Sequence, residues 1–599
     1  MKIKRAVPIM LALLTLLTSC TAPVTQHTPL TVVGTGEATT TASTSATTET
    51  TTASTTVPTA TTGVTTGTQT STPQTKRTTA ATTPSTAVTG HEDVSARFEK
   101  MSVEEKVGQL FVVPISGVSL GMKDRELLKS CSFGNVILFG SNIRDASQLS
   151  KLTTAIQDEI TANTGLQPFI GVDQEGGTVQ RLLFATTSPP AMAVGATRKP
   201  ALAKKLGMLM GEQLLTLGIN VNFAPDADVN SNPDNPVIGD RSYSEDAKTC
   251  AKFVSAYVEG LQSAGVLACA KHFPGHGDTS VDSHETLPTV TGDRERLDTL
   301  ELVPFRAAIE ADVAMTMVGH LLVPALTDDG LPASLSQDVI EGTLRGEMNF
   351  SGLVITDSLS MGAITETYGL GQACVMAINA GADLLCLNSS AKEIEEAYDT
   401  VLAAVEKGKI SQERLDDAVL RILDAKEEYG IFESPRPSEE LPSTEEYDAL
   451  LTQIAEESLT LMSGTSRVFD ASQTFVIATE PYRDVLTTRT ENLGAYLTRN
   501  YGCASTEIER KPDSYAQQMA LDSAKLYETV VLAVSGEGCL ELARILGKRN
   551  LRLIIVVMDD PYTAREYMEC GAKVVYCAYE NTDYAILAVA KALTEGTAK

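Results

Sequence analysis

Residues 266–278 read VLACAKHFPGHGD. The first five are small or apolar, the composition of a strand buried on both faces. The run then breaks into Lys271, His272, Pro274 and two glycines, so an apolar strand empties into a basic, imidazole-rich loop. The same event recurs along the chain. Phe169–Val172 runs into Asp173-Gln174-Glu175-Gly176-Gly177, Ala314–Val318 stops just before His320, and Leu353–Thr356 ends against Asp357. Gln109–Pro114, Asn135–Phe139, Asn220–Ala224 and Leu384–Leu387 bring the apolar runs to eight. Stretches of helical period separate most of them, among them 201–217, 247–263 and 391–406, and 411–428 closes the series. Alternating β and α units predict a parallel sheet, and eight of them in about 330 residues predict a (β/α)8 barrel of the TIM type. Such barrels build their sites from the loops after the strands, so the polar strand ends are expected on one face.

The turn-rich stretch Glu433-Ser434-Pro435-Arg436-Pro437 ends this pattern. A helix is expected at about 445–462, then four more strand-like runs: Thr474–Ala478, Thr529–Val534, Leu551–Val557 and Lys573–Cys577. They predict a smaller open α/β sandwich domain, residues 436–599, after a catalytic domain at 93–435. No glycine-rich phosphate loop follows any of its strands, so the sequence assigns this domain no chemistry.

The first 92 residues have a different character. Lys2, Lys4 and Arg5 precede a short apolar run at 6–19, too short for an ordinary membrane span. It ends in Leu17-Thr18-Ser19-Cys20, which resembles a bacterial lipoprotein signal. That resemblance implies a signal peptide at 1–20, lipidation of Cys20, and export to the outer face of the bacterial cell membrane. Residues 21–92 are dominated by threonine, with Ser, Ala, Pro and Gly, and predict a disordered tether. A flexible coil of about 70 residues spans roughly 45 Å end to end.

The formal net charge is −28, from 76 acidic against 48 basic residues. Such a chain repels nucleic acid and anionic lipid heads, which leaves a lipid anchor as the expected route to a membrane. The ten cysteines include no CxxC pair. Cys269, Cys386 and Cys577 lie in apolar runs and read as small buried hydrophobes. Three of the six histidines, His272, His276 and His284, fall between residues 272 and 284. Zinc is the rival reading, but Pro274 and the nearby glycines rule out a helix presenting His272 and His276 together, and no Cys or carboxylate pattern completes a ligand set. No metal or cofactor is expected.

The segment 271–284, KHFPGHGDTSVDSH, strongly resembles a signature of glycoside hydrolase family 3, in its β-N-acetylglucosaminidase branch. DQEGGTVQR at 173–181, NPVIGDR at 235–241, Met317–Ser336 and GLVITDSLSMGAI at 352–364 match further motifs, and the likeness runs over about 97–430. The resemblance implies Asp357 as nucleophile, His284 as general acid/base and Asp282 as the partner that orients it. It implies Asp173, Arg181, Arg241, Lys271 and His272 as sugar contacts, with Glu175 structural. Thr178 stands where many relatives have Arg, which bears on substrate preference.

Chemistry supports the transfer. Departure of an alcohol from a sugar needs a proton on the glycosidic oxygen and electron density at the anomeric carbon. Asp357 supplies the second need, and an imidazole supplies the first near neutral pH. The D-x-H spacing on an extended loop puts Asp282 and His284 on one side, and Gly275 and Gly277 are expected to let that loop move. The expected protein is a monomeric, retaining exo-β-N-acetylglucosaminidase acting on small carbohydrates, with peptidoglycan-derived fragments and muropeptides first. Two alternatives stand beside it: a phosphorylase on the same glycosides, and a non-catalytic sugar-binding lipoprotein. His320 is read equally as a site residue or as a buried loop group, and Asp226 and Asp228 as braces for the loop carrying Arg241. His276 and Asp278 are expected to hold their own loop together.

Overall fold

The computed structural model describes residues 94–185, 187–281, 286–465, 468–480 and 491–596. The predicted signal, Cys20 and the tether therefore lie outside the described residues, as do Asp282 and His284.

The eight apolar runs form eight parallel strands: β1 (Phe111–Pro114), β2 (Asn135–Leu138), β3 (Phe169–Val172), β4 (Val221–Asn222), β5 (Leu267–Phe273), β6 (Met315–Val318), β7 (Leu353–Thr356) and β8 (Leu385–Cys386). They pair in sequence order, and β8 returns to β1 with Phe111 opposite Leu385. A bridge between Ile355 and Leu384 joins the remaining seam, so the sheet is a nearly closed barrel. β2, β3, β6 and β7 are buried along their whole length, which is why their sequences carry no polar alternation.

The helices fall close to their predicted places, at Pro200–Thr216, Ala247–Ser263, Ala391–Glu406 and Gln412–Glu428. In the second, Ala247, Cys250, Phe253, Val254, Tyr257, Val258 and Leu261 turn inward at helical spacing, while the Asp246 side chain caps the Thr249 N–H at 2.8 Å. Two strands differ most from expectation. β4 shrinks to two residues, although the chain beyond it still pairs with β5, the Lys271 N–H donating to the Pro225 carbonyl at 3.2 Å and Asp226 bridging Lys271. β5 instead continues through Lys271 and His272 to Phe273. Its pairing with β6 shifts register between Ala270 and Phe273. A bulge of that kind re-aims side chains, and it lets two successive polar residues face the barrel mouth.

A second sheet has the order β11-β10-β12-β13-β14-β9, formed by β9 (Thr460–Gly464), β10 (Thr474–Thr479), β11 (Ala504–Ile508), β12 (Thr529–Val534), β13 (Arg552–Val557) and β14 (Val574–Cys577). All its pairs are parallel except that of β9 with β14. The sequence predicted four of these strands and missed the two edges. It also extended a helix to 462, whereas the helix Glu445–Ser458 stops and Thr460–Gly464 joins the sheet. Apolar clusters lie on both faces of this sheet, as an open α/β sandwich requires. Among the described residues no helix is long and apolar enough to cross a membrane.

Candidate active site

A cavity of about 450 Å³ opens at the C-terminal ends of the barrel strands. Asp173, Arg181, Arg241, Lys271, His272 and Asp357 all line it, so six predicted residues from four loops and strands converge. Its volume lies at the small end for ligand sites. A larger cavity of about 610 Å³ lies between the barrel and the second domain, and none of the predicted site residues lines it.

The cradle is built from paired charges. The Lys271 ammonium donates to Asp173 at 2.8 Å and lies 2.8 Å from Glu175. Arg241 grips both oxygens of Glu175, from Nε at 2.8 Å and Nη2 at 2.9 Å. Arg181 stands 3.8 Å from the other oxygen of Asp173. Burial raises the Glu175 carboxyl, but Arg241 and Lys271 outweigh it and hold the group below the usual carboxylate range. Burial likewise lowers Lys271, and Asp173 and Glu175 more than offset it, so the ammonium keeps its proton. Glu175 is therefore the tie between two basic residues. The family resemblance implies a structural Glu175, and these two cations are the partners it does not name.

A second group holds His272. The carboxylate of Asp228 accepts from its Nδ1 at 2.8 Å, and the ring Nε2 lies 3.5 Å from Arg241. Asp228 also accepts from the His276 N–H at 2.6 Å. Burial pushes Asp228 up, but His272 and His276 prevail and keep it ionised. Asp226 has the opposite balance, because burial and the charge of Asp228 drive its carboxyl well above the ordinary range. Both are expected to brace the loop carrying Arg241, and the Asp228 carbonyl does accept from Ser242 of that loop at 2.6 Å while the Asp228 side chain turns to His272. Asp226 lies 3.5 Å from the guanidinium, whereas Asp228 serves His272. Asp226, Asp228 and His272 could bring three donor atoms within 4.8 Å of one another around an ion. The guanidinium beside Asp226 already supplies positive charge there.

Asp357 follows β7, and its N–H donates to Val318 of β6 at 2.9 Å. Its Oδ1 accepts from the Ser358 N–H at 2.7 Å. Burial raises this carboxyl, but His320, His272 and the Ser358 N–H together bring it below the usual value, so Asp357 is ionised at neutral pH. His320 is fully buried, with Ser334 on Nδ1 at 2.7 Å and the Ser358 carbonyl on Nε2 at 2.9 Å. It supports the turn carrying Asp357 from behind and does not line the cavity.

His276 and Asp278 do organise their loop. His276 Nδ1 meets the Thr279 hydroxyl at 2.8 Å, and Asp278 pairs with Arg296 at 2.8 Å. The two glycines of this turn sit in close packing. A Cβ on Gly277 would lie 1.8 Å from the Val229 carbonyl, and one on Gly275 would lie 2.8 Å from the Glu301 side chain. Both therefore stand where this turn packs closely against its neighbours, and Gly275 also has a φ of +131°. Thr178 is exposed and lines no part of the cavity. Met317, Met361, Cys386 and Asn388 also line the cavity.

The parallel eight-stranded barrel thus presents an ionised carboxylate, Asp357, in one cavity with a cradle of paired charges. The family model for the glycosyl hydrolase family 3 N terminal domain matches residues 102–425. The chain belongs to that family. It is 37% identical over 324 residues to beta-hexosaminidase A of Pseudoalteromonas piscicida, a match covering 50% of this chain and 54% of that one. It is 35% identical over 339 residues to beta-hexosaminidase LpqI of Mycobacterium tuberculosis, covering 54% and 83%. A family 3 beta-N-acetylglucosaminidase structure from Paenibacillus superposes with a TM-score of 0.77 at 36% identity, covering 83% of this chain and 97% of that one. The likeness to the hexosaminidase branch agrees with the motifs quoted above.

Proposed function

We propose that the chain is a retaining exo-β-N-acetylglucosaminidase with Asp357 as nucleophile and the Asp282–His284 pair as acid/base. The observation that carries this reading is the state of the carboxylates. Asp173 and Glu175 are both tied to cations, and Asp357 lines the cavity ionised, with no salt bridge to its carboxylate from any described residue. Ion pairing of Asp173 and Glu175 leaves neither of them free as the carboxylic-acid proton donor usual in such enzymes, and on this reading that role falls to His284.

In the first step an Asp357 oxygen bonds to the anomeric carbon as the glycosidic C–O bond breaks, and His284 gives its proton to the departing oxygen. In the second, His284 takes a proton from water, whose oxygen bonds to the same carbon and displaces Asp357. Two inversions give net retention. Asp173, Arg181, Lys271, Arg241 and His272 hold the sugar hydroxyls through charge-assisted hydrogen bonds. A cavity of about 450 Å³ supports removal of one terminal residue at a time. The named hexosaminidase relatives support the N-acetylglucosamine preference. Lipidation at Cys20, the threonine-rich tether, peptidoglycan fragments as substrate and a monomeric state complete the proposal.

The test is product analysis by proton NMR with an aryl N-acetyl-β-glucosaminide, with and without phosphate. First-formed β-N-acetylglucosamine supports the reading. The α anomer, or no turnover, refutes it, and a sugar 1-phosphate moves the assignment to phosphorolysis.

A further inference from the structure

The second domain touches the catalytic face at a defined point. Tyr562, on the helix Pro561–Met568, accepts a hydrogen bond from the Asn230 amide at 2.9 Å. Asn230 is 1% exposed, and its side-chain oxygen has no partner. The tyrosine is thus the only hydrogen-bond partner of that side chain among the described residues.

Asn230 sits in the loop that organises the site. Its N–H lies 3.2 Å from the Ser242 hydroxyl, which donates to the Asp228 carbonyl at 2.6 Å. Asp228 holds His272 and the His276 N–H. Farther along, Asn232 donates to the Thr279 carbonyl at 3.1 Å and Asn235 to the His276 carbonyl at 2.8 Å. The loops after β4 and β5 are therefore laced together, and Gly277 closes against Val229 between them. The barrel supplies the lacing, and Tyr562 supplies a fixed point outside it.

We propose that Tyr562 is a positioning residue: through Asn230 it fixes the 226–235 loop and, with it, Asp228, His272 and the 276–279 turn. Without the hydroxyl a buried amide loses its one partner, and the loop shifts to find water. A site held by packed supporting groups loses rate when those groups loosen. The inference rests on the proposed glycosidase reading for its kinetic arm alone.

The experiment compares full-length Tyr562→Phe with Tyr567→Phe. Tyr567 is on the same helix, and its hydroxyl donates to the Gly536 carbonyl at 2.9 Å, away from the barrel. Hydrogen exchange by mass spectrometry is expected to quicken at 228–235 and 272–281 in Tyr562→Phe only. Its kcat/KM on an aryl N-acetyl-β-glucosaminide should fall roughly tenfold, with Tyr567→Phe within twofold of wild type. Unchanged exchange at 228–235 overturns the proposal, and so does faster exchange with kcat/KM within twofold of wild type. An equal loss in Tyr567→Phe also overturns it. Wild-type turnover tests the glycosidase reading separately, because the exchange arm needs no substrate.

Discussion

Replacing Glu175 by Gln keeps the shape of the side chain and removes the charge that joins Arg241 to Lys271. The carboxylate takes two hydrogen bonds from Arg241, at 2.8 and 2.9 Å, and the Lys271 ammonium lies 2.8 Å away. Its side chain is 6% exposed, so solvent replaces little of this. Removing one member of a buried ionic group costs about 3–5 kcal/mol, since the partners stay behind uncompensated. A retained amide oxygen still accepts one bond, so about 3 kcal/mol is expected. For a domain this large that corresponds to a fall in Tm of roughly 6 °C, at about 2 °C per kcal/mol. The pH dependence follows from the sign of the shift. A depressed carboxyl contributes stability that is present above its unfolded pKa and lost as pH falls through its folded value. The gap between wild type and variant should stay constant from pH 8 to pH 5 and close only in strong acid. Scanning calorimetry across that range, with kcat/KM beside it, is the assay. A fall in Tm under 1 °C with kcat/KM within threefold of wild type would sink the account of Glu175 as the tie of the cradle.

Asp357→Asn should lower kcat on aryl N-acetyl-β-glucosaminides by roughly 10⁴-fold or more, read by steady-state kinetics of protein that still melts normally. His284→Ala should cost about 10²–10⁴-fold on substrates with poor leaving groups and much less with an activated phenol. Equal losses across a leaving-group series would remove its acid role. Burial, with Asp559 and Asp560 beside it, pushes the Asp240 carboxyl up to about 7. A raised carboxyl binds its proton more tightly when folded, so it lowers stability progressively as pH rises from about 4 to 7. Asp240→Asn should therefore raise Tm at pH 8 and leave it unchanged at pH 4, measured by thermal denaturation at both.

The barrel strands were legible because burial on both faces erases polar alternation, leaving short apolar runs that only a parallel sheet explains. The helix 247–263 was legible because its inward residues recur at helical spacing. The failures have physical causes too. β5 outran its apolar run because the bulge lets Lys271 and His272 stay in the strand while meeting the cavity. β9 and β11 are edge strands with partly exposed side chains, and Leu459-Thr460-Leu461-Met462 reads as readily helical as extended. Pairing with β14 decides it, which is a tertiary choice overriding local preference. The π-helical turn at Asp338–Glu347 likewise had no local signature. At the site, residue types announced the chemistry, but partners did not. Nothing in DQEGG says that Glu175 will meet Arg241, 66 residues on.

The antiparallel pairing of β9 with β14 has a consequence for synthesis. β9 leaves the ribosome first among the strands of its sheet, yet its sole neighbour is the last to emerge. Until residue 577 is made, Thr460–Gly464 presents an open edge beside a barrel already long enough to close. Nascent chains halted between these points would carry an unsealed β edge, the kind of surface that recruits chaperones or pairs with a neighbour.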